Sequence, residues 1–362
     1  MPEYNFLTQE QRDFFVEHGW LRIPNAINKE YLDRWMSNLW VRLGFDEHDK
    51  STWKDDYLKM PKHNEVPISE FSPDAWKAMC EIVGGEEKID TEREYLAGDN
   101  FIVNFGKEEW KTGGERKPQE NTGWHIDNDY FRHFLDSSSN ALTIINCFTD
   151  ILPRGGGTVV AEDGIERIVK VLYDHPEGLD PPFDYLCAHC KGLEKYVTVE
   201  AKAGDVIITH ALLPHAASRN HMHYARVMTN PHVNLKEPYN LNREDGDYTL
   251  CEQVILRALN RSSIPEYTPT RPRQTYFPRT FTFKRARIQE ELDRMIQSAA
   301  SKGLPASSVE SLYVKGEDVV REHEKRNGYD RPHGPGGVCV SSKDPIGKAF
   351  AEQRAREMGL AS

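Results

Sequence analysis

The chain has 362 residues, 38% of them hydrophobic and 28% charged, with a formal net charge of −11. That balance suits a globular protein with a real core and argues against a general nucleic-acid surface, which needs clustered Lys and Arg. No apolar run approaches the roughly 20 residues that cross a bilayer.

The first residues are acidic and amphipathic, without the basic-then-apolar layout of a signal peptide. The ending Gly359–Ser362 is not a peroxisomal signal. Six cysteines (Cys80, Cys147, Cys187, Cys190, Cys251, Cys339) in so long a chain do not resemble a disulfide framework. A reduced, cytoplasmic setting is expected.

Thr8 and Gln11 form a capping-box pattern ahead of Phe14, Phe15 and Val16, and Gly19 stands where that helix would stop. Trp20–Ile23 reads as a short strand ended by Pro24. A second helix starts at Asn28 and carries Tyr31, Leu32, Trp35 and Leu39 at helical spacing. From about Tyr95 to Leu235 short β-rich runs take over: Phe101–Phe105, Ala141–Phe148, Thr158–Ala161, Tyr196–Glu200, Val206–Thr209 and Ala225–Thr229. One helix, Ile165–Tyr173, interrupts them before the Pro-rich stretch His175–Phe183.

After about Glu237 the helical pattern returns at Tyr248–Leu259 and Thr282–Ala299. Between them runs a Pro/Arg-rich connection with Pro265, Pro269, Pro272 and Pro278. His333–Gly337 reads as a loop, and a peripheral helix is expected from Asp344 onward. The spacing suits an antiparallel barrel or sandwich better than alternating β and α units. The organisation expected is one domain: a helical scaffold region (1–94), a β core (95–235) and a C-terminal helical extension (236–362).

The sharpest local feature is Trp124-His125-Ile126-Asp127. Residues two apart on a strand share a face, so His125 and Asp127 can reach one metal. Alone, His-x-Asp is common by chance. After the Gly204-Asp205 turn come the strand Val206–Thr209 and then His215, and Arg226 follows His215 by eleven residues (226 − 215) within an apolar run. An Arg there is costly to bury without a matched anion. It either pairs with a protein carboxylate or clamps a ligand carboxylate through two parallel hydrogen bonds. Two His and one carboxylate make the facial triad of iron(II) oxygenases, which leaves positions open for a 2-oxo acid and dioxygen.

With these motifs, with Leu7–Gln11, Phe15 and Gly19-Trp20, and with the Gly155-Gly156-Gly157-Thr158 turn, the chain resembles the phytanoyl-CoA dioxygenase-like family from its amino terminus to about Arg243. The resemblance implies a double-stranded β-helix (jelly-roll, cupin-like) core with N- and C-terminal helical extensions. It implies Fe(II) held by His125, Asp127 and His215, and 2-oxoglutarate clamped by Arg226, with O2 as oxidant. Many relatives carry Ser at the position of Ala217. Thr158 and Asn104 are therefore candidates to complete the co-substrate pocket, although Thr and Asn in β-rich segments are usually structural. Asp127 argues against halogenation, since related halogenases lack that carboxylate.

Several residues carry rival readings. His210 could replace His215 as a ligand but stands sixteen residues from Arg226 (226 − 210), so a buried structural histidine is expected. Cys187-x-x-Cys190 with His189 lacks the second pair that a closed zinc site needs. Tyr130, Phe131 and Phe134, with Arg132 and His133, form either core packing or a substrate-facing wall. Asp205 and Asn220 read as turn residues.

The function expected is oxidation of an unactivated C–H bond by hydroxylation, desaturation, ring closure or rearrangement. The substrate class is an amino acid, organic acid or secondary metabolite, because no basic cluster suits the phosphates of coenzyme A. No nucleic-acid or membrane partner is expected, and the sequence leaves the oligomeric state open. The alternatives are a zinc hydrolase with the same ligands, or a cupin-like binding protein.

Overall fold

The computed structural model describes residues 4–93, 95–114, 116–121, 123–127, 130–181 and 192–334. The CxxC segment with Cys187, His189 and Cys190, the residue Cys339 and the helix expected from Asp344 lie outside these residues.

The first helix, α1 (Gln9–His18), has both halves of the capping box, and Gly19 ends it in the left-handed conformation at φ 75°. Strand β1 (Trp20–Ile23) follows directly. Asn28 caps α2 (Lys29–Met36) through its side chain. The helical run expected to reach Leu39 breaks at Ser37, whose hydroxyl bonds back to the Arg34 carbonyl at 2.7 Å and so competes with the helix ladder. The chain resumes as α3 (Leu39–Leu43).

Next come β2 (Tyr57–Lys59), β3 (Glu65–Pro67), α4 (Ile68–Phe71), α5 (Pro73–Val83), β4 (Leu96–Gly98) and β5 (Ile102–Asn104). The core continues with β6 (Leu142–Cys147), β7 (Thr158–Ala161), α6 (Gly164–Asp174) and β8 (Tyr196–Thr198), then β9 (Val206–His210), β10 (His215–Ala217), β11 (Arg226–Thr229) and β12 (His232–Val233). Helices α7 (Leu250–Ala258), α8 (Thr280–Ser301) and α9 (Glu317–Arg326) complete the described fold.

Among the described residues every strand pairing is antiparallel. The main sheet has seven strands in the order β1-β9-β6-β11-β5-β2, with β12 also on β6, and it faces a three-stranded sheet ordered β10-β7-β8. This is the jelly-roll core that the sequence implies. Two edge strands, β1 and β2, come from the N-terminal region.

Opposed residues of an antiparallel ladder share a face, and alternate residues share it along each strand. The register therefore lines up Tyr57, Asn104 and Arg226 in one row, and Lys59, Ile102 and Met228 in the next. The Thr158 hydroxyl of the small sheet lies 4.0 Å from Met228 Sδ, so these rows face the inter-sheet space. The opposite face carries Leu58, Val103, Val227 and Ile208, all in the main hydrophobic core with Trp35 and Phe71 from the helical layer and Phe148 just past β6.

His210 belongs to that opposite face, in phase with Val206 and Ile208. It is buried, stacks on Tyr239 at 6.3 Å, and accepts the Leu212 N–H on Nδ1 at 3.1 Å. A ring that accepts on one nitrogen is held neutral. Burial pulls its pKa down to about 4 from 6.5.

The C-terminal region is tied to the core by buried charge. Arg42 of α3 sits between Glu291 of α8 and Asp99, 3.0 Å from each. Farther along, residues 274–276 zip onto the loop after Asp127: Arg132 N–H donates to Gln274 O at 2.8 Å, and Tyr276 N–H to Tyr130 O at 2.7 Å.

A histidine buried neutral costs stability in acid. Its folded pKa lies below its unfolded value, so its contribution is complete above pH ~6.5 and is lost as the pH falls towards ~4. Linkage gives about 2 kcal/mol lost by roughly pH 5. His210→Asn keeps an acceptor for the Leu212 N–H but does not titrate, so it should flatten the loss of thermal stability between those limits. An unchanged acid slope would remove His210 as its source.

Candidate active site

His125 and His215 are joined through their backbones before their rings meet. His125 N–H donates to His215 O at 3.0 Å, and His215 N–H returns a bond to His125 O at 2.9 Å. This reciprocal pair brings the imidazole centroids to 4.4 Å. His215 lies on β10, whose partner β7 pairs Val160 with it, while His125 extends that small sheet as an isolated bridge.

Each ring is oriented by its other nitrogen. Nδ1 of His125 bonds the Gly123 carbonyl at 2.7 Å, and Nδ1 of His215 bonds the Leu213 carbonyl at 3.1 Å. Both Nε2 atoms then turn to the Asp127 carboxylate, at 3.5 Å and 3.6 Å. The three ligand-type atoms lie within 4.8 Å of one another. The main chain at Asp127 is fixed by Asn140, which donates to its carbonyl at 2.8 Å.

Electrostatics fit a cation at this point. Burial would raise the Asp127 carboxyl, but hydrogen bonds from His125 and His232 outweigh it and hold the group well below the usual carboxylate range. Burial, with His125 alongside, pulls His215 down to about 4. Asp127 Oδ2 lies 3.4 Å from His232 Nε2 and 3.6 Å from His215 Nε2. An anionic oxygen and two oriented, basic imidazole nitrogens form a donor set that a divalent first-row metal fits, with their backbone partners as the outer layer.

Arg226 is fully buried on the inner face of β11. Its Nε donates to Gly156 O at 3.1 Å, while Nη1 and Nη2 make no hydrogen bond among the described residues. Burial acts against the guanidinium charge, and the neighbouring Tyr57 phenol favours it. A planar cation with its outer edge unmatched is suited to a carboxylate. Gly156 itself sits at φ 77°, and a Cβ there would come within 2.5 Å of Asn104 Nδ2, so the turn is fitted to glycine.

The expected helpers divide. Asn104 shares the Arg226 row, but its amide nitrogen reaches the Gly156 and Ser218 carbonyls at 3.4 Å and 3.2 Å. It braces the turn that aims Arg226. Thr158 faces the interior, but its hydroxyl contacts Met228 Sδ. The hydroxyl beside Arg226 belongs to Tyr57, which sequence reading missed because β2 is three residues long. Asn220 is a turn residue, as expected, and a buried one: it bonds the Asn104 and Tyr224 carbonyls at 2.8 Å and 2.7 Å. Asp205 caps its turn through the Asn25 and Lys202 N–H groups, both at 2.9 Å.

His232 was also missed. Its Nε2 lies 3.4 Å from Asp127 Oδ2, and Tyr130 stacks on its ring at 5.6 Å. The signal was present, since β12 keeps the register of β11 on β6, so 226, 228 and 232 share one phase. Of the aromatic loop, Tyr130 thus backs the site. Phe131 packs on His133, and Phe134 lies under Arg273 and against Gly178.

Comparison with known proteins agrees with this reading of the sequence. The model of the phytanoyl-CoA dioxygenase (PhyH) family matches residues 15–228, more than half of the chain. No curated protein matches it. Among solved structures, HygX from Streptomyces hygroscopicus, with nickel, 2-oxoglutarate and hygromycin B bound, is 13% identical with a TM-score of 0.34, and the match covers 66% of this chain and 90% of that one. AviO1 from Streptomyces viridochromogenes Tue57 is 12% identical with a TM-score of 0.35, covering 65% of this chain and 98% of that one. The chain belongs to the phytanoyl-CoA dioxygenase family and is a 2-oxoglutarate-dependent, non-haem iron oxygenase.

Proposed function

We propose that His125, Asp127 and His215 hold iron(II), that Arg226 clamps the distal carboxylate of 2-oxoglutarate, and that the enzyme oxidises a C–H bond of a small organic acid, amino acid or secondary metabolite. The observation that carries this reading is the convergence of ligand-type atoms of His125, Asp127 and His215 within 4.8 Å of one another, with the fully buried Arg226 on the inner face of the other sheet. A zinc hydrolase built on the same three ligands would have no use for that arginine.

When bound, iron(II) with 2-oxoglutarate and dioxygen supplies the oxidising power, and 2-oxoglutarate leaves as succinate and carbon dioxide. The protein supplies placement. Backbone bonds hold His125 and His215 in the tautomer that presents Nε2, and Asp127 contributes the negative charge that favours a cation. Gly156 fixes the Arg226 fork from behind. Arg226 is fully buried, which strengthens its interaction with an anion. The test is to offer iron(II), 2-oxoglutarate and candidate metabolites, and to look for succinate together with a change in product mass.

Truncating one partner of a buried charge pair costs ~2–5 kcal/mol, or about thirty- to several-thousand-fold in affinity. Arg226→Leu should therefore weaken 2-oxoglutarate binding by that factor while iron stays in place. A dissociation constant within about threefold of wild type would instead make Arg226 a structural cation.

His125→Ala and His215→Ala should abolish stoichiometric iron binding. Asp127→Gly should hold iron less tightly and lower oxygenation by orders of magnitude, with at most trace halogenated product in chloride. Wild-type oxygenation by Asp127→Gly would remove that carboxylate from the metal.

A further inference from the structure

The inner face of β2 carries a cation that the chemistry described so far does not use. Lys59 pairs with Ile102 of β5, and Met228 of β11 pairs with the same Ile102. Lys59 therefore projects from the face that bears Arg226 and Met228, towards the inter-sheet space where Thr158 meets Met228. Its side chain is half-buried, on a strand at the edge of the main sheet. Among the described residues no carboxylate lies within ion-pair distance of it, and it makes no hydrogen bond to them. A lysine left unpaired on a surface that is partly removed from water is costly unless an anion arrives.

Charge balance indicates which anion. The charges of iron(II) and Arg226 match those of Asp127 and the two carboxylates of 2-oxoglutarate. With both cofactors in place, Lys59 is left over as a positive charge on the same inner surface.

We infer that Lys59 is a specificity residue that receives a carboxylate of the primary substrate, so that the enzyme oxidises a monoanionic small molecule held between β2 and the iron site. This rests on the iron and 2-oxoglutarate reading above. It deepens that reading by naming the substrate's recognition group. Lys59 supplies a point charge on a flexible stem, which suits substrate capture at the mouth of the cleft, whereas the rigid fork of Arg226 suits a fixed co-substrate.

The test uses the anaerobic iron(II)·2-oxoglutarate protein, with loading confirmed first and 2-oxoglutarate kept saturating. Propionate and its neutral isostere propionamide are titrated at constant ionic strength, read by melting temperature and by the visible absorption of the loaded site. Propionate should bind saturably and at least about tenfold more tightly than propionamide. Lys59→Met should erase that preference, and Lys59→Arg should keep part of it. Both variants should hold 2-oxoglutarate within about threefold of wild type. Three results overturn the inference: equal responses to acid and amide in wild type, an acid preference that survives in Lys59→Met, or a loss of 2-oxoglutarate binding in that variant, which would assign Lys59 to the co-substrate. Failure of wild type to load iron and 2-oxoglutarate would overturn the reading beneath it instead.

Discussion

A fully buried guanidinium that meets no carboxylate among the described residues is the constraint around which this site is arranged. Arg226 cannot be left in that state at no cost, because a buried charge needs a matched partner. Its surroundings are organised to keep it there and to aim it: the Gly156 carbonyl takes Nε, Asn104 braces the Gly156 turn, and Asn220 ties β5 to the hairpin before β11. None of these contacts neutralises the charge.

The metal end follows the same logic with the opposite sign. Asp127 is a partly buried carboxylate kept anionic by imidazoles, and His125 and His215 are joined by a reciprocal backbone pair. Positive and negative ends are mounted on facing sheets, Arg226 on the large one and His215 on the small one. In the proposed reading, iron(II) at the Asp127 end and Arg226 at the other would each take one carboxylate of 2-oxoglutarate.

Much of this was legible in the residues. Thr8, Gln11 and Gly19 mark α1 at both ends, and the alternating runs from Phe101 to Thr229 locate most core strands within a residue or two. Period-two reasoning set His125 with Asp127, and the spacing to Arg226 favoured His215 over His210. What escaped detection was short or depended on pairing. Strands β2, β3 and β4 have three residues each, too few for alternation to register, and β2 carries Tyr57 and Lys59. His232 escaped because the β run was read only as far as Thr229, although the register on β6 continues beyond it. Helix α5 had its signals, Pro73 at the start and Gly84 past the end, but no chemistry drew attention to them. The zipping of residues 274–276 onto the loop after Asp127 joins segments far apart in sequence, which no local pattern reveals.

The most direct measurement is an anaerobic titration of the wild-type chain with iron(II) and then 2-oxoglutarate, following visible charge-transfer absorption and the stoichiometry of each. The account predicts one iron and one 2-oxoglutarate per chain, with the absorption appearing only when both are present. Iron uptake with no change on adding 2-oxoglutarate, or tight 2-oxoglutarate binding that produces no absorption with iron bound, would contradict it.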